Sequence, residues 1–415
     1  MIPTRFVLRR LLGLVLLATA ACASARAADM GDIAPAPIVR VRGEVTRLSP
    51  DKPRVWARGT RLRELQTLGS GVGTPAPGAV VPESIVVRQG ERVLERGRDY
   101  LADPVWGSLG IGPESSVTPD DPVTVDYDYS LRRIDSRIKT ADGRVIVRPG
   151  EPQLTAPVPP PVHAGEVRLA NVFVDYHGDG TDAEVFPVEE TAEQASTQTT
   201  PGRIPKTLAK IRAGEPVKIV CWGDSVTVGG DASTPEARYP AVFEKRLKAK
   251  FPDAKIDVDA IAVGGSNSRQ WLWPDRFPGR PGCDWQRIAD ARPDLVTIEF
   301  VNDAYMSPEQ VGEMYGEILG RLKALEAEVI LITPHFTMPR MMGFRTLREP
   351  ERRPYVLALR RFAASRGLAL ADATARWEHL WKEGLPYVTL LRNGINHPDD
   401  RGHALFADEL MGCFE

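Results

Sequence analysis

A serine that ends an apolar run is the first residue in this chain that could do chemistry. In IVCWGDSVTVGG, Ile219 to Gly230, a buried-type strand stops at Gly-Asp-Ser and small residues follow. Ser225 either caps the next helix or presents its hydroxyl as a nucleophile. The pattern is not the α/β-hydrolase elbow, which needs glycine two residues after the serine, where Thr227 stands. A serine nucleophile needs a base. Of the six histidines, His397 in LRNGINHPDDRGH comes just before the last helix, set by backbone yet free to face a cleft. His403 falls on that helix and reads as structural. Acyl transfer also needs donors for a developing oxyanion. Gly264-Gly265 in AVGGSNS lets backbone N–H groups point at a ligand, and Asn302 in EFVND offers a side-chain N–H. Taken singly, each has an ordinary reading: a helix cap, a loop histidine, a tight turn, a turn asparagine.

The elements around these residues give them a common place. From about Ile204, short apolar runs (VKIVCW, AKIDVDAIAV, DLVTIEFV, EVILIT, LALAD) alternate with helical patterns. One helix carries Tyr239, Phe243, Leu247 and Phe251 at i+4 spacing. Another opens with a capping box of Ser307, Pro308 and Gln310 and carries a stripe of Val311, Met314, Ile318, Leu322 and Leu325. A third is stopped by Gly367. The last starts near Asp399 or Asp400. Alternating strand and helix predict a parallel sheet covered on both faces, with sites at the carboxyl ends of its strands. Ser225 follows the first strand, the glycine pair the second, Asn302 the third, and His397 precedes the last helix.

Upstream the texture is different. Val123, Val125, Tyr127 and Tyr129 alternate with polar residues, the period of a half-buried strand. Asp142-Gly143 and Gln89-Gly90 mark hairpins. APVPPPVHAG, Ala156 to Gly165, should be stiff and extended. The expected organisation is a signal peptide over 1–27, a β-rich accessory domain over 30–187, a polar connection over 188–203 and the α/β domain over 204–415. Arg5, Arg9 and Arg10, the apolar run Leu11 to Ala21 and Ala25-Arg26-Ala27 carry the export reading, which places the protein in the periplasm or outside the cell. Thr19-Ala20-Ala21-Cys22 is a poor lipoprotein box that leaves a lipid anchor at Cys22 open, and Arg9-Arg10 is a weak twin-arginine signal. No later segment is long and apolar enough to span a membrane.

The four blocks together are far more specific than any one of them. They resemble the SGNH (GDSL-type) hydrolase family: Gly223-Asp224-Ser225 its first block, Gly264/Gly265 its second, Asn302-Asp303 its third and His397-Pro398 its last. The resemblance covers about residues 205 to 415. It implies a flavodoxin-like three-layer α/β/α fold and ester hydrolysis with no metal and no cofactor. By this matching Ser225 is the nucleophile and His397 the base, while the Ser225 N–H, a glycine N–H (Gly265 before Gly264) and the Asn302 side chain form the oxyanion hole. Two positions depart from the family pattern. Phe300 replaces the glycine of Gly-x-Asn-Asp, where a ring would narrow the site. The family's aspartate stands three residues before the histidine, where this chain has Gly394. Asn393 is the nearest match, which gives a Ser–His dyad with Asn393 or a backbone carbonyl orienting His397. Asp399 and Asp400 are alternatives whose simpler reading is a helix cap.

At 415 residues with 42% apolar and 26% charged residues, the chain reads as soluble globular protein of two or three domains. A net charge of −2 makes no case for nucleic acid or an anionic membrane as partner. The expected partner is an acetylated oligo- or polysaccharide. Trp271 and Trp273 are candidates for stacking on sugar rings, and His335 for shaping the pocket. A second reading is a polysaccharide-binding protein with a degenerate SGNH domain, and a third a lipase- or lysophospholipase-like esterase. Asp175, Asp179 and Asp182 only partly match a calcium loop, because His177 stands at an oxygen-ligand position and no glutamate closes it. A Cys283–Cys413 disulfide is open in an oxidising compartment; Cys221 reads as a small buried hydrophobe.

Overall fold

The structure, a computed structural model, describes residues 33–54, 58–67, 73–191 and 203–415. The export segment, Cys22 and residues 192–202 of the expected connection lie outside the described residues.

The C-terminal half is built on five parallel strands. In sequence they are Pro216–Gly223, Lys255–Ala262, Leu295–Glu299, Glu328–Ile332 and Ala369–Ala371, and in space they run second, first, third, fourth, fifth. Successive strand side chains point to opposite faces, and the residues divide accordingly. Ile219, Cys221, Leu295, Ile330 and Ile332 pack on one side with Phe243, Leu247 and Phe406 from the helices Tyr239–Lys250 and Asp400–Gly412. Val220, Trp222, Val296, Ile298 and Leu331 pack on the other with Tyr315, Ile318 and Leu359 from Pro308–Ala324 and Pro354–Arg366. This is the three-layer α/β/α arrangement that the alternation predicts. The local signals hold as well. Ser307 and Gln310 form the capping box, Gly367 ends its helix at φ +64°, and the Asp399 side chain caps the last helix.

The same division excludes the disulfide. Cys283 lies in the core on one face of the sheet and Cys413 in the core on the other, and both are free and buried. Phe300 is also turned inward. It meets Trp222 edge to face at 5.3 Å between ring centroids and is 1% exposed, so it does not narrow the site.

The upstream region is mostly antiparallel β. One sheet orders Ile38–Arg47, Pro122–Ser130, Val86–Gln89 and Arg92–Val93, and a second orders Val145–Arg148, Arg133–Lys139, Val167–Val174 and Glu184–Pro187. Val123, Val125, Tyr127 and Tyr129 face the interior as their alternation requires. Gly90 and Gly143 both take positive φ in their hairpins. Asp175, the first residue of the calcium-like stretch, is bound by Arg132 at 2.9 Å from Nε, and Asp179 accepts from Thr181 within its own turn.

The two halves share a core. Ile134, Phe173 and Phe186 of the second β-sheet pack with Phe336, Trp377, Tyr387 and Leu391 of the α/β half. Polar contacts cross beside it: the buried Asn171 donates to the Gly384 carbonyl at 2.6 Å and accepts from Ser136 at 2.6 Å. Val188 bridges to Glu383, and the Glu189 N–H donates to the Lys382 carbonyl at 2.6 Å. Removing the Asn171 amide would leave a buried carbonyl and hydroxyl without their partner, at a cost of about 1–3 kcal/mol. Asn171→Ala is therefore expected to lower the free energy of unfolding by that amount, read as a lower urea midpoint, and an unchanged midpoint would show that the halves do not depend on this contact.

Candidate active site

Strand register brings the candidate residues together. Gly223 lies beside Ala262 on one neighbouring strand and Glu299 on the other. The residues that follow, Asp224-Ser225, Val263-Gly264-Gly265 and Phe300-Val301-Asn302, therefore leave the sheet at one edge. Ser225 starts a short helix, Ser225–Val228, capped by Asp224, whose Oδ1 accepts the Val226 N–H at 3.1 Å. The other oxygen of Asp224 accepts the backbone N–H of Asn302 at 3.0 Å and its side-chain N–H at 2.9 Å. The first and third blocks are thus pinned to each other through one buried carboxylate.

His397 Nε2 lies 2.9 Å from Ser225 Oγ, and His397 Nδ1 lies 2.6 Å from Asp231 Oδ2. Hydroxyl, imidazole and carboxylate form one hydrogen-bonded chain. Asp231 is buried and takes φ +64°, a left-handed backbone that aspartate tolerates better than most residues. The sequence reading did not select Asp231. Its one local signal is Gly229-Gly230, with Gly229 at φ +89° ending the Ser225–Val228 helix, which folds the chain back beside the serine.

Asn393 has a different task from the one expected. Its Oδ1 accepts the backbone N–H groups of Ile395, Asn396 and His397 at 2.9, 2.9 and 3.0 Å. It shapes the loop that carries the histidine and has no hydrogen bond to the imidazole. Asp400 accepts from Ser233 and is likewise not on the imidazole. The reason for Gly394 is steric. It takes φ +68°, and a Cβ there would come within 3.1 Å of Pro77 Cδ and 3.3 Å of Thr155 Cγ2. The upstream domain fills the space that an aspartate side chain would need at this position.

Two of the substrate-binding candidates belong to the core. Trp271 is fully buried, meets Trp222 edge to face and donates its indole N–H to Ser266 Oγ at 2.9 Å. His335 is fully buried between Trp377 and Phe406, and its Nε2 lies 2.8 Å from the Asn396 carbonyl. Burial pushes its pKa down to about 3, so it is a neutral prop beneath the histidine loop. Trp273 is partly buried under Arg276 and lines a separate depression with Arg269 and Met306. His403 is buried on the last helix, as the sequence reading has it, and burial pulls its pKa down to about 4.

The cavity at the serine has a volume of about 470 Å³, and its walls include Gly264, Gly265, Asn302 and Asn396. Thr74, from the upstream domain, is also on its wall. Among the described residues the N–H groups of Ser225, Gly264 and Gly265 have no hydrogen-bond acceptor. Asn302 lines the same cavity, but its side-chain N–H₂ is bound to Asp224 and to the Ser266 carbonyl at 3.0 Å. Its side-chain donors are thus engaged, and it would be available to an oxyanion only by sharing or releasing the Ser266 contact.

Beneath the site lie three carboxyl groups shut off from water: Asp224, Glu299 and Asp303. Burial raises all three. Asp224 goes to about 6, held down by the N–H groups of Asn302 and Val226, and Asp303 to about 7. Glu299, with the Thr227 hydroxyl as its donor and Asp224 nearby, goes well above the ordinary range. Burial and the neighbouring Asp224 carboxyl thus both disfavour the anion on Glu299, whereas at Asp224 backbone donors favour it, at the cap of the Ser225–Val228 helix.

Residues 221–405 match the model of the GDSL-like Lipase/Acylhydrolase family. No curated protein matches the chain. Similar solved structures include a two-domain esterase active on acetylated mannans, at 21% identity and TM-score 0.39 over 52% of this chain and 53% of that one. The match thus spans about half the length of the mannan esterase. Others are the acetyl xylan esterase AlAXEase (18%, TM-score 0.38, 47% and 98%) and a mutant of Axe2, an acetyl-xylooligosaccharide esterase from Geobacillus Stearmophilus (20%, TM-score 0.36, 48% and 95%).

The contact at Gly394 gives a direct test. Gly394→Asp puts a side chain against Pro77 and Thr155 in a left-handed backbone, at a cost of about 1–3 kcal/mol. It should lower thermal stability and should not restore activity when combined with Asp231→Asn. A double variant as active as the unmodified protein would mean that position 394 can hold the acid after all.

Proposed function

We propose that the protein is an exported serine esterase that removes acetyl groups from carbohydrate, with Ser225 as nucleophile, His397 as base and Asp231 as the acid that orients it. The observation that carries this reading is the chain of hydrogen bonds from Ser225 Oγ through His397 to Asp231 at 2.9 and 2.6 Å. A carboxylate on Nδ1 fixes the tautomer in which Nε2 accepts the serine proton, and it stabilises the imidazolium that follows. As Oγ attacks the ester carbonyl, His397 takes its proton. The N–H groups of Ser225 and Gly265 or Gly264 receive the oxyanion. His397 then gives the proton to the departing sugar hydroxyl. Water, activated by the same imidazole, attacks the acyl-enzyme and releases the acid.

The cavity favours a short acyl group. Of its lining, Val228 and Ile395 are the aliphatic side chains among the described residues, and the rest is glycine or polar. A long acyl chain would want an apolar groove. The binding-only reading took its motive from the absent family aspartate, and Asp231 supplies a carboxylate in its place.

Ser225→Ala should abolish hydrolysis of 4-nitrophenyl acetate while leaving the circular dichroism spectrum unchanged; surviving turnover would remove Ser225 as nucleophile. Asp231→Asn keeps the size of the side chain and loses the charge. By the precedent of serine-protease triads, kcat should fall by about 10³- to 10⁴-fold. A fall under tenfold would reduce the site to a Ser–His dyad. Release of acetate from acetylated xylan or mannan, measured directly, tests the substrate class.

A further inference from the structure

Arg280 is on the wall of the cavity that holds Ser225 and His397. Its guanidinium lies over Gly265: a Cβ built on that glycine would be 3.2 Å from Nη1, 3.4 Å from Nη2 and 3.5 Å from Cζ. The bare glycine lets the cation approach this closely. Among the described residues no carboxylate pairs with Arg280, and no acceptor holds its side chain. The other arginines of the same stretch are engaged: Arg276 lies on Trp273, and Arg287 donates to the Gly282 carbonyl at 2.5 Å and lies on Trp271. The other ionisable side chain on the cavity wall is His397, and it is bound to Asp231. The wall next to the serine therefore presents one unneutralised, always-charged fork of donors to whatever enters. A second guanidinium is linked to the cavity wall through packed side chains. Arg340 sits 5.2 Å over Trp106, which packs with Ile395 of the cavity wall, and no carboxylate among the described residues pairs with it.

We propose that Arg280 binds a carboxylate carried by the substrate, so that an ester bearing a free carboxylate is preferred over a neutral one. The proposal rests on the esterase reading above and adds the charge of the substrate to it. An Arg–carboxylate pair is planar and bidentate, which fixes orientation as well as adding affinity. The carboxylate has two sources: a uronosyl residue of the glycan, or a dicarboxylic acyl group.

The test compares substrates that differ by a carboxylate-bearing group. One pair is acetylated xylo-oligosaccharide with and without a glucuronosyl branch, and the other is 4-nitrophenyl hemisuccinate and 4-nitrophenyl acetate. The quantity read is the ratio of kcat/KM, charged over neutral, within each pair. Arg280→Met should lower that ratio by about 10- to 100-fold, the range of a hydrogen bond to a charged group. Arg280→Lys should keep part of it, and added salt should reduce it in the unmodified protein. A fall confined to the first pair places the carboxylate on the glycan, and a fall confined to the second places it on the acyl group. Equal ratios in the unmodified and Arg280→Met proteins for both pairs, or an equal slowing of all four substrates, would overturn the proposal. If the unmodified protein hydrolyses none of the four, the esterase reading itself fails. The proposal is then judged by calorimetric titration with the branched and unbranched oligosaccharides: an affinity ratio that Arg280→Met leaves unchanged overturns it.

Discussion

Asp231 and the Nδ1 atom of His397, 2.6 Å apart, set the orientation on which the rest of the site depends. An imidazole on a loop rotates freely unless one nitrogen is claimed, and only a claimed nitrogen leaves the other aimed at the serine. Here the claim comes from the same short stretch of chain that carries Ser225. Six positions separate hydroxyl from carboxylate, and a two-glycine return brings them to either side of the ring. The carboxylate bears a left-handed backbone of order 1–3 kcal/mol to stand there. Surrounding structure over-determines that strain, through the buried turn and the helix that starts at Asp400.

The histidine's own loop is held from three directions. Asn393 gathers three of its N–H groups, His335 supports the Asn396 carbonyl from the core, and Thr155 of the β-rich half donates to the Arg392 carbonyl at 2.6 Å. The upstream domain is thus a wall of the Ser225 cavity as well as a neighbour. It supplies Thr74 to the lining and Pro77 to the contact with Gly394.

Much of the α/β half could be read from residue order, because each signal was local or periodic. Alternating strands and helices, the Ser307 capping box and the four blocks at strand ends all refer to neighbours within a few positions. What could not be read depended on long-range contacts. An aspartate after two glycines looks like any turn, and only the fold shows that the imidazole of a loop 166 residues later is its partner. Trp271 and His335 have the types that bind sugars and shape pockets, yet each is enclosed by residues far away in sequence. Asn393 was selected for its distance from His397, but its oxygen is used up by backbone. Thr74 carried no signal at all, since nothing in its surroundings points to a cavity built by another domain.

Position 394 links the assembly of the molecule to its chemistry. Because the β-rich half occupies the place of a side chain there and holds the adjoining carbonyl, the loop conformation that presents the imidazole and the docking of the two halves share a single free energy. By reciprocity, whatever strengthens or loosens that docking must shift the population of correctly aimed histidine by the same factor, and occupancy of the cavity must in turn tighten the seam between the halves.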